Sequence, residues 1–458
     1  VSAADRPILL WFRQDLRLAD NPALAAAAAT GRPIIPLFIL HEASDGRPWG
    51  AASLWWLDKS LRVLDADLRR RGSRLILRRG DPAVIVPALA EELGAEVFWN
   101  RLYGQAAIAR DSNLKAELSA KSFNASLLVE PWTVKTGSGG HFQVFTPFWR
   151  AARAVMPDSA LQDAPNALPA PDPWPMSDDL ADWRLHPRAP DWSGGFGDWT
   201  PGEAGAHEAL KAFARQSLRA YPEARDLPGV AGTSRLSPHL HWGEIAPRQI
   251  RAAIDGTEGA ASDKFMAEIG WREFNHHLLY QHGALFQQNI RRDFDRFAWR
   301  EDKAGLQAWR EGRTGYPMVD AGMRELWATG FMHNRVRMIA ASFLIKHLLI
   351  DWREGEAWFW DTLLDADAAN NPGNWQWSAG CGADAAPFFR IFNPIVQGER
   401  YDPDGAYIRR WVPELAHLSS KAIHRPWEAG VPGYPKPIVD HAMARQRALD
   451  AFQGMRDR

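Results

Sequence analysis

Through the first 130 residues, short apolar runs alternate with helix-like patterns, and this alternation restricts the possible folds more than any other feature of the chain. The runs at 8–12, 34–40, 74–77, 96–99 and 126–129 read as strands buried on both faces, which show as near-continuous apolar stretches. Between them, 22–29, 51–71, 82–93 and 105–120 carry helical periodicity. Strand and helix in strict turn predict an α/β fold with a doubly wound parallel sheet. No G-x-G-x-x-G comes after the first strand and no P-loop occurs, which argues against ordinary NAD binding or phosphoryl transfer. The first strand leads instead into Arg13-Gln14-Asp15-Leu16-Arg17, a charged cluster without a generic meaning.

From about 131 to 201 the chain is rich in Pro, Gly, Trp and Asp, and it reads as a long surface connector. Beyond it the pattern is helical: 203–220, 246–254, 262–280, 306–310, 319–329, 335–349 and 355–364. The expected organisation is an α/β domain over 1–130, a linker over 131–200 and an all-helical domain over 201–458, in keeping with a chain too long for one ordinary domain. A net charge of −1 gives no global pull toward nucleic acid or membrane, so a polyanionic partner must meet a local basic patch. The single cysteine, Cys381, excludes a disulfide framework and multi-thiolate metal centres, and it suits a reducing cytoplasm. The apolar run from Met338 to Leu349 is broken by Lys346 and His347, too early for a membrane helix. Trp outnumbers Tyr 23 to 7. Most of these indoles are expected in a helical core, but such an excess also suits base stacking or electron transport.

Five constellations carry chemistry. The run Asp365 to Trp377 (DADAANNPGNWQW) packs carboxylates, amides and indoles densely enough to grip a polar aromatic cofactor, or simply forms an Asx-rich turn. Thr233, Ser234, Arg235, Leu236 and Ser237 precede a probable helix; they suit a diphosphate cradle or a plain helix cap. Glu268, Trp271 and Arg272 fall at i, i+3 and i+4, an acceptor, a stacking plane and a cation on one helix face. Asn334, Arg337 and Met338 share a face in the same way, and Arg337 could hold Asp365 through a two-pronged ion pair. Trp299, Trp352 and Trp375 form a trio whose spacing says nothing about proximity.

Taken in order, these groups resemble the DNA photolyase/cryptochrome family along nearly the whole chain. The likeness includes Trp11 to Arg17 with Asp20-Asn21-Pro22, the Thr233–Ser237 segment, Trp271 to Phe274, Gly315-Tyr316-Pro317, Met332 to Met338, and Asp365 to Trp377 running on to Phe388 and Pro394. The resemblance implies FAD held in the helical domain. Tyr221 with Thr233, Ser234, Arg235, Leu236 and Ser237 would hold its diphosphate side. Asp365 and Asp367 would take the ribityl, ribose and adenine region, with Arg337 paired to Asp365. Asn371 would face flavin N5, where plant-type cryptochromes place an Asp. Trp299, Trp352 and Trp375 would match the family's electron-hopping chain.

On the substrate side the resemblance implies UV-damaged DNA, with the cyclobutane pyrimidine dimer flipped from the duplex. Trp271 and Trp377 would be the walls against the thymines. Glu268 would hydrogen-bond a thymine carbonyl and stabilise the charge the dimer acquires. Asn334 and Met338 would contact the dimer and flavin, and Arg225, Arg272 and Arg335 are candidates for phosphate contacts. The family's 6–4 repair enzymes carry His near the Asn334 position, so Asn there favours cyclobutane dimers. Asn371-Pro372-Gly373-Asn374 departs from the Gly-Gly turn of the best-known bacterial type and is similar to the group called class III. The single Cys excludes the iron–sulfur branch. An antenna pigment, 5,10-methenyltetrahydrofolate, is expected on the α/β domain, but its ligands cannot be mapped from sequence. The expected activity is light-driven dimer repair by a cytoplasmic monomer with no metal, no membrane and no obligate protein partner. The alternatives are a cryptochrome-type photoreceptor without repair and a flavin-free nucleic-acid binding module. Against the photoreceptor, the segment after Asn393 keeps Trp411, Pro413 and Trp427 and does not read as a disordered tail.

Overall fold

The computed structural model describes residues 6–41, 43–44, 46–255, 259–384 and 389–457; Phe388 of the quoted motif lies outside them. Five strands form a parallel sheet in the order β5-β2-β1-β6-β7. They are β1 (Ile8–Phe12), β2 (Ile34–Leu40), β5 (Ile76–Arg79), β6 (Glu96–Asn100) and β7 (Ala120–Phe123), while β3 (Ala43–Ser44) and β4 (Arg47–Pro48) make a small separate hairpin. The central β1 is buried along its whole length and registers Ile8 against both Ile34 and Glu96. Helices Pro22–Ala28, Ala51–Arg69, Pro82–Leu93 and Gln105–Glu117 connect successive strands, as the alternation requires.

One strand lies elsewhere than expected. The fifth is Ala120–Phe123, which pairs Val97 with Ala120 and Asn100 with Phe123. Its sequence, AKSF, is too polar to announce an edge strand, and the preceding helix ends at Glu117 to make room for it. The apolar stretch at 126–129 is buried without being a strand. Its amides are satisfied by side chains: Leu127 N–H donates to Asn124 Oδ1 (3.1 Å), and Leu128 and Val129 N–H both donate to Glu273 Oε2 (2.8 and 3.2 Å). A distant carboxylate thus replaces the sheet ladder that a buried backbone otherwise needs. The charged cluster after β1 also has an internal task. Arg17, 1% exposed, donates to the carbonyls of Asp20, Ala125 and Gly243.

Contacts divide the chain into two compact units: Val1–Ala189, Asp198–Gln216 and Ser234–Ala284 in the first, and Pro190–Gly197, Ser217–Thr233 and Leu285–Arg458 in the second. Residues 201–216 and 234–284, expected in the helical domain, group with the sheet instead. The reason lies in buried acids such as Glu273 and Glu244. The latter is 0% exposed and accepts from Trp56 Nε1 (3.0 Å) and Ser60 Oγ (2.6 Å). The supposed connector also contains a helix, Phe145–Ala154, with Phe148, Trp149 and Ala152 buried.

The second unit is helical, around one core that includes Trp309, Trp352 and Trp375. The expected helix at 335–349 runs as Asn334–Ser342 and then widens into a π-helical turn, Phe343–His347. Trp352–Thr362 and Asn370–Ala379 pack closely because residue 355 is Gly; a Cβ there would lie 2.1 Å from Cη2 of Trp375. Among the described residues no helix is long and apolar enough to cross a membrane.

Candidate functional site

The run 365–377 proves to be an acidic turn leading into the Asn370–Ala379 helix. Asp367 starts that helix: Oδ1 accepts from Ala369 N (2.8 Å) and Asn370 N (2.5 Å), and Oδ2 accepts from Asn370 Nδ2 (2.7 Å). Asn371, 8% exposed, lies on the inner face. Its Nδ2 donates to Glu356 Oε1 (2.8 Å) and Glu356 O (3.1 Å). Two acceptors on one side fix the orientation of the amide, because only the NH2 end can face them. Asn371 Oδ1 is left with no hydrogen bond from the described residues. Glu356, 1% exposed, therefore orients the amide, and nothing in its local sequence marks it for that task.

The expected ion pair between Arg337 and Asp365 is present and two-pronged, at 3.0 and 2.8 Å, and Arg337 Nε donates to Met332 O (2.7 Å). His333 caps the same helix through Nδ1, which accepts from Arg335 N (3.2 Å). Burial lowers its pKa to about 4, so the ring stays neutral and able to accept. Asn334 is exposed at the start of this helix, and Met338, half-buried, comes one turn later. Met338 and Trp377 line one pocket, so two residues expected on the substrate side come together. Lys346 and Arg390 line it as well; Lys346 shows in the sequence only as a charge that breaks an apolar run, and Arg390 not at all. Lys346 is buried, donates to Ser378 O (2.7 Å) and Arg390 O, and lies 4.8 Å from the Phe389 ring; burial lowers its pKa to about 7.

Arg225 and Arg335 share Asp226, at 3.9 and 2.9 Å. Arg225 also lies over the buried ring of Tyr221 (5.4 Å), while Arg335 and Arg400 lie over Tyr401 at 4.4 and 5.1 Å. Arg225, Arg335 and Arg400 thus lie along one line of contacts through Asp226 and Tyr401. The trio of indoles belongs to one core cluster. Trp375 packs against Phe359 (5.0 Å) and Trp309 (6.1 Å), Trp352 donates to Asn289 Oδ1 (2.9 Å), and Trp299, partly buried, rests on Phe297 (4.4 Å).

In the first unit, Glu268 and Trp271 are half-buried on the Ala260–His282 helix. Arg272 is not a free cation: Nη1 donates to Ser126 O (2.8 Å) and lies 3.4 Å from Glu273 Oε1, with 12% of the side chain exposed. Leu236 precedes the Ser237–Trp242 helix without a side-chain cap of its own, and Ser234 Oγ accepts from the Leu236 N–H at 3.4 Å. Arg235 adopts φ +54° and lays its guanidinium 4.0 Å over the Trp199 ring.

Two family models match the chain: the DNA photolyase model over residues 8–172 and the FAD binding domain of DNA photolyase over residues 265–454. A deoxyribodipyrimidine photo-lyase of Agrobacterium fabrum is 50% identical, over 100% of this chain and 99% of that protein. The chain belongs to the DNA photolyase/cryptochrome family. Cryptochrome-1 of Arabidopsis thaliana is 37% identical over 98% of the chain and 70% of the plant protein. The crystal structure of a bacterial class III photolyase from Agrobacterium tumefaciens superposes with a TM-score of 0.96 at 49% identity, covering 100% of this chain and 99% of that one.

The family's cofactor is FAD, and the second unit can be tested for fit on its own residues. Asn371 offers an acceptor without a donor in a nearly closed environment, which suits a ring N–H. Arg337 fixes the position of the Asp365 carboxyl through two hydrogen bonds, leaving its remaining lone pairs to accept from a hydroxyl. The donor set fits.

Proposed function

We propose that this protein is a light-driven lyase that splits cyclobutane pyrimidine dimers in DNA, with FAD held by Tyr221, Thr233, Arg337, Asp365, Asp367 and Asn371. Ser234, Arg235, Leu236 and Ser237 are assigned to the FAD diphosphate from their sequence. The observation that carries the reading is the Asn371 amide, oriented by Glu356 so that a neutral acceptor, not a carboxylate, is presented. The 50% identity to a deoxyribodipyrimidine photo-lyase supports the choice of substrate. When bound, reduced FAD supplies light-driven electron transfer to the dimer, with return of the electron after the ring opens.

The protein's own groups bind, orient and exclude water. Met338 and Trp377 give one pocket an apolar and stacking lining for a pyrimidine pair. Asn334, exposed beside them on the helix face, supplies an amide for a base edge. Glu268 and Trp271 are assigned to the same substrate, Glu268 as hydrogen-bonding acid and Trp271 as stacking plane. Arg225 and Arg335 take backbone phosphate in place of Asp226. Trp299, Trp352 and Trp375 carry electrons to the flavin before repair. We also assign methenyltetrahydrofolate as antenna, to be tested by mass spectrometry of the extracted chromophores. The cytoplasmic location and the monomeric, partner-free state belong to the same proposal; light scattering tests the latter.

The deciding experiment incubates the reduced protein with a dimer-bearing oligonucleotide, in blue light and in darkness. Loss of dimers in light alone is expected. Dimers that persist equally in both overturn the reading, and photoreduction of the flavin without dimer loss would favour a photoreceptor.

A further inference from the structure

We propose that Phe145 is a positioning residue for Trp271: it occupies one face of the indole so that only the other face is open to a base. The assignment rests on the function proposed above. Phe145 stacks on Trp271 with ring centroids 4.0 Å apart and planes within 9°. Its own ring runs nearly parallel to Trp149 (6.4 Å, 12°). Trp149 in turn lies against the backbone of Gly270, where a Cβ would approach Cδ2 to 2.6 Å. Phe148 completes the contact, 5.1 Å from Phe274 and 5.0 Å from His277. Residues at i, i+3 and i+4 of the Phe145–Ala154 helix thus grip Gly270, Trp271, Phe274 and His277 of the Ala260–His282 helix.

An indole has two faces. With Phe145 fixed to one of them, Trp271 cannot turn over and cannot stack on bases from both sides. A half-buried Trp would otherwise sample several rotamers and lose that freedom on binding, which weakens association. The Phe145 plane removes the loss before the ligand arrives. The helix that supplies it lies within the Pro-rich stretch, where sequence periodicity alone did not reveal a helix.

The test uses full-length flavin-loaded protein and fluorescent oligonucleotides with and without one cyclobutane thymine dimer, titrated in darkness. Phe145→Leu removes the plane, and affinity for the dimer strand should fall about three- to tenfold. Affinity for the undamaged strand and the flavin spectrum should stay as in the wild type. Phe145→Tyr should restore binding. In a Trp271→Phe background, Phe145→Leu should have a much smaller effect, because the residue being positioned is altered. If Phe145→Leu fails to fold, Phe145→Met, close in volume but without a plane, takes its place. Unchanged dimer affinity in the Leu variant, or an equal loss in both backgrounds, overturns the assignment. A wild-type protein that shows no preference for the dimer strand overturns the proposed function as well.

Discussion

Replacing Glu273 with Gln should remove a pH-dependent part of the protein's stability. Glu273 is 2% exposed, accepts two backbone N–H groups through Oε2 and faces Arg272 across 3.4 Å. Burial outweighs these partners and raises its pKa from 4.5 to about 7. The native state therefore binds this proton more tightly than the unfolded chain does. The resulting stability is fully present below about pH 4.5 and is lost as pH rises through about 7. A shift of that size is worth about 3 kcal/mol, nearly all of it within the interval between the two pKa values. Gln keeps an acceptor for the Leu128 and Val129 amides but does not titrate. Urea unfolding of wild type and Glu273→Gln at pH 5, 6, 7 and 8 gives the quantity needed. The difference between the two proteins cancels every other titrating group. Wild-type stability relative to the variant should fall by about 2 to 3 kcal/mol between pH 5 and pH 8. A difference that stays flat within about 1 kcal/mol would refute the claim that this carboxyl is protonated in the fold near neutrality.

Asn371→Asp should change flavin photoreduction, because a carboxylate cannot donate to Glu356 Oε1 as the amide does at 2.8 Å and must acquire a proton to keep the contact; an unchanged spectrum would count against placing this residue at the flavin. Gly355→Ala should lower thermal stability, since overpacking at 2.1 Å from Trp375 costs about 1 to 3 kcal/mol, and calorimetry of the two proteins checks it. Arg335→Ala should weaken binding to damaged and undamaged strands alike and reduce the salt slope of the affinity by about 1; a loss confined to the dimer strand would contradict a phosphate role.

Much of this structure is legible in the sequence, for identifiable physical reasons. Strands such as β1 and β2 are buried on both faces, so their apolar runs announce them. The pairing of Arg337 with Asp365 could be read from helical spacing and charge. The features that escaped detection depend on distant partners. The stretch 126–129 has strand composition yet forms a loop, because Glu273 supplies hydrogen bonds from 145 positions downstream. The edge strand Ala120–Phe123 needs only a neighbour, not apolar residues of its own. Glu356 is one acid among many in the sequence and becomes significant only when the fold sets it against Asn371. Arg272 reads from the sequence as a phosphate candidate, and its bond to the Ser126 carbonyl, 146 positions away, becomes visible only in the fold.

The wide turn at Phe343–His347, where Leu348 N–H reaches back to Phe343 O (3.2 Å), accommodates one residue more than a regular helix would. That surplus turns Lys346 inward to the carbonyls of Ser378 and Arg390. Deleting one residue here would let the turn close into an ordinary helix with Arg337 and Met338 facing as before, but it would take the Lys346 ammonium away from those two carbonyls. A one-residue deletion should therefore keep the helix before the turn in register and lose the tie from Lys346 to Ser378, which replacing a neighbouring side chain does not do.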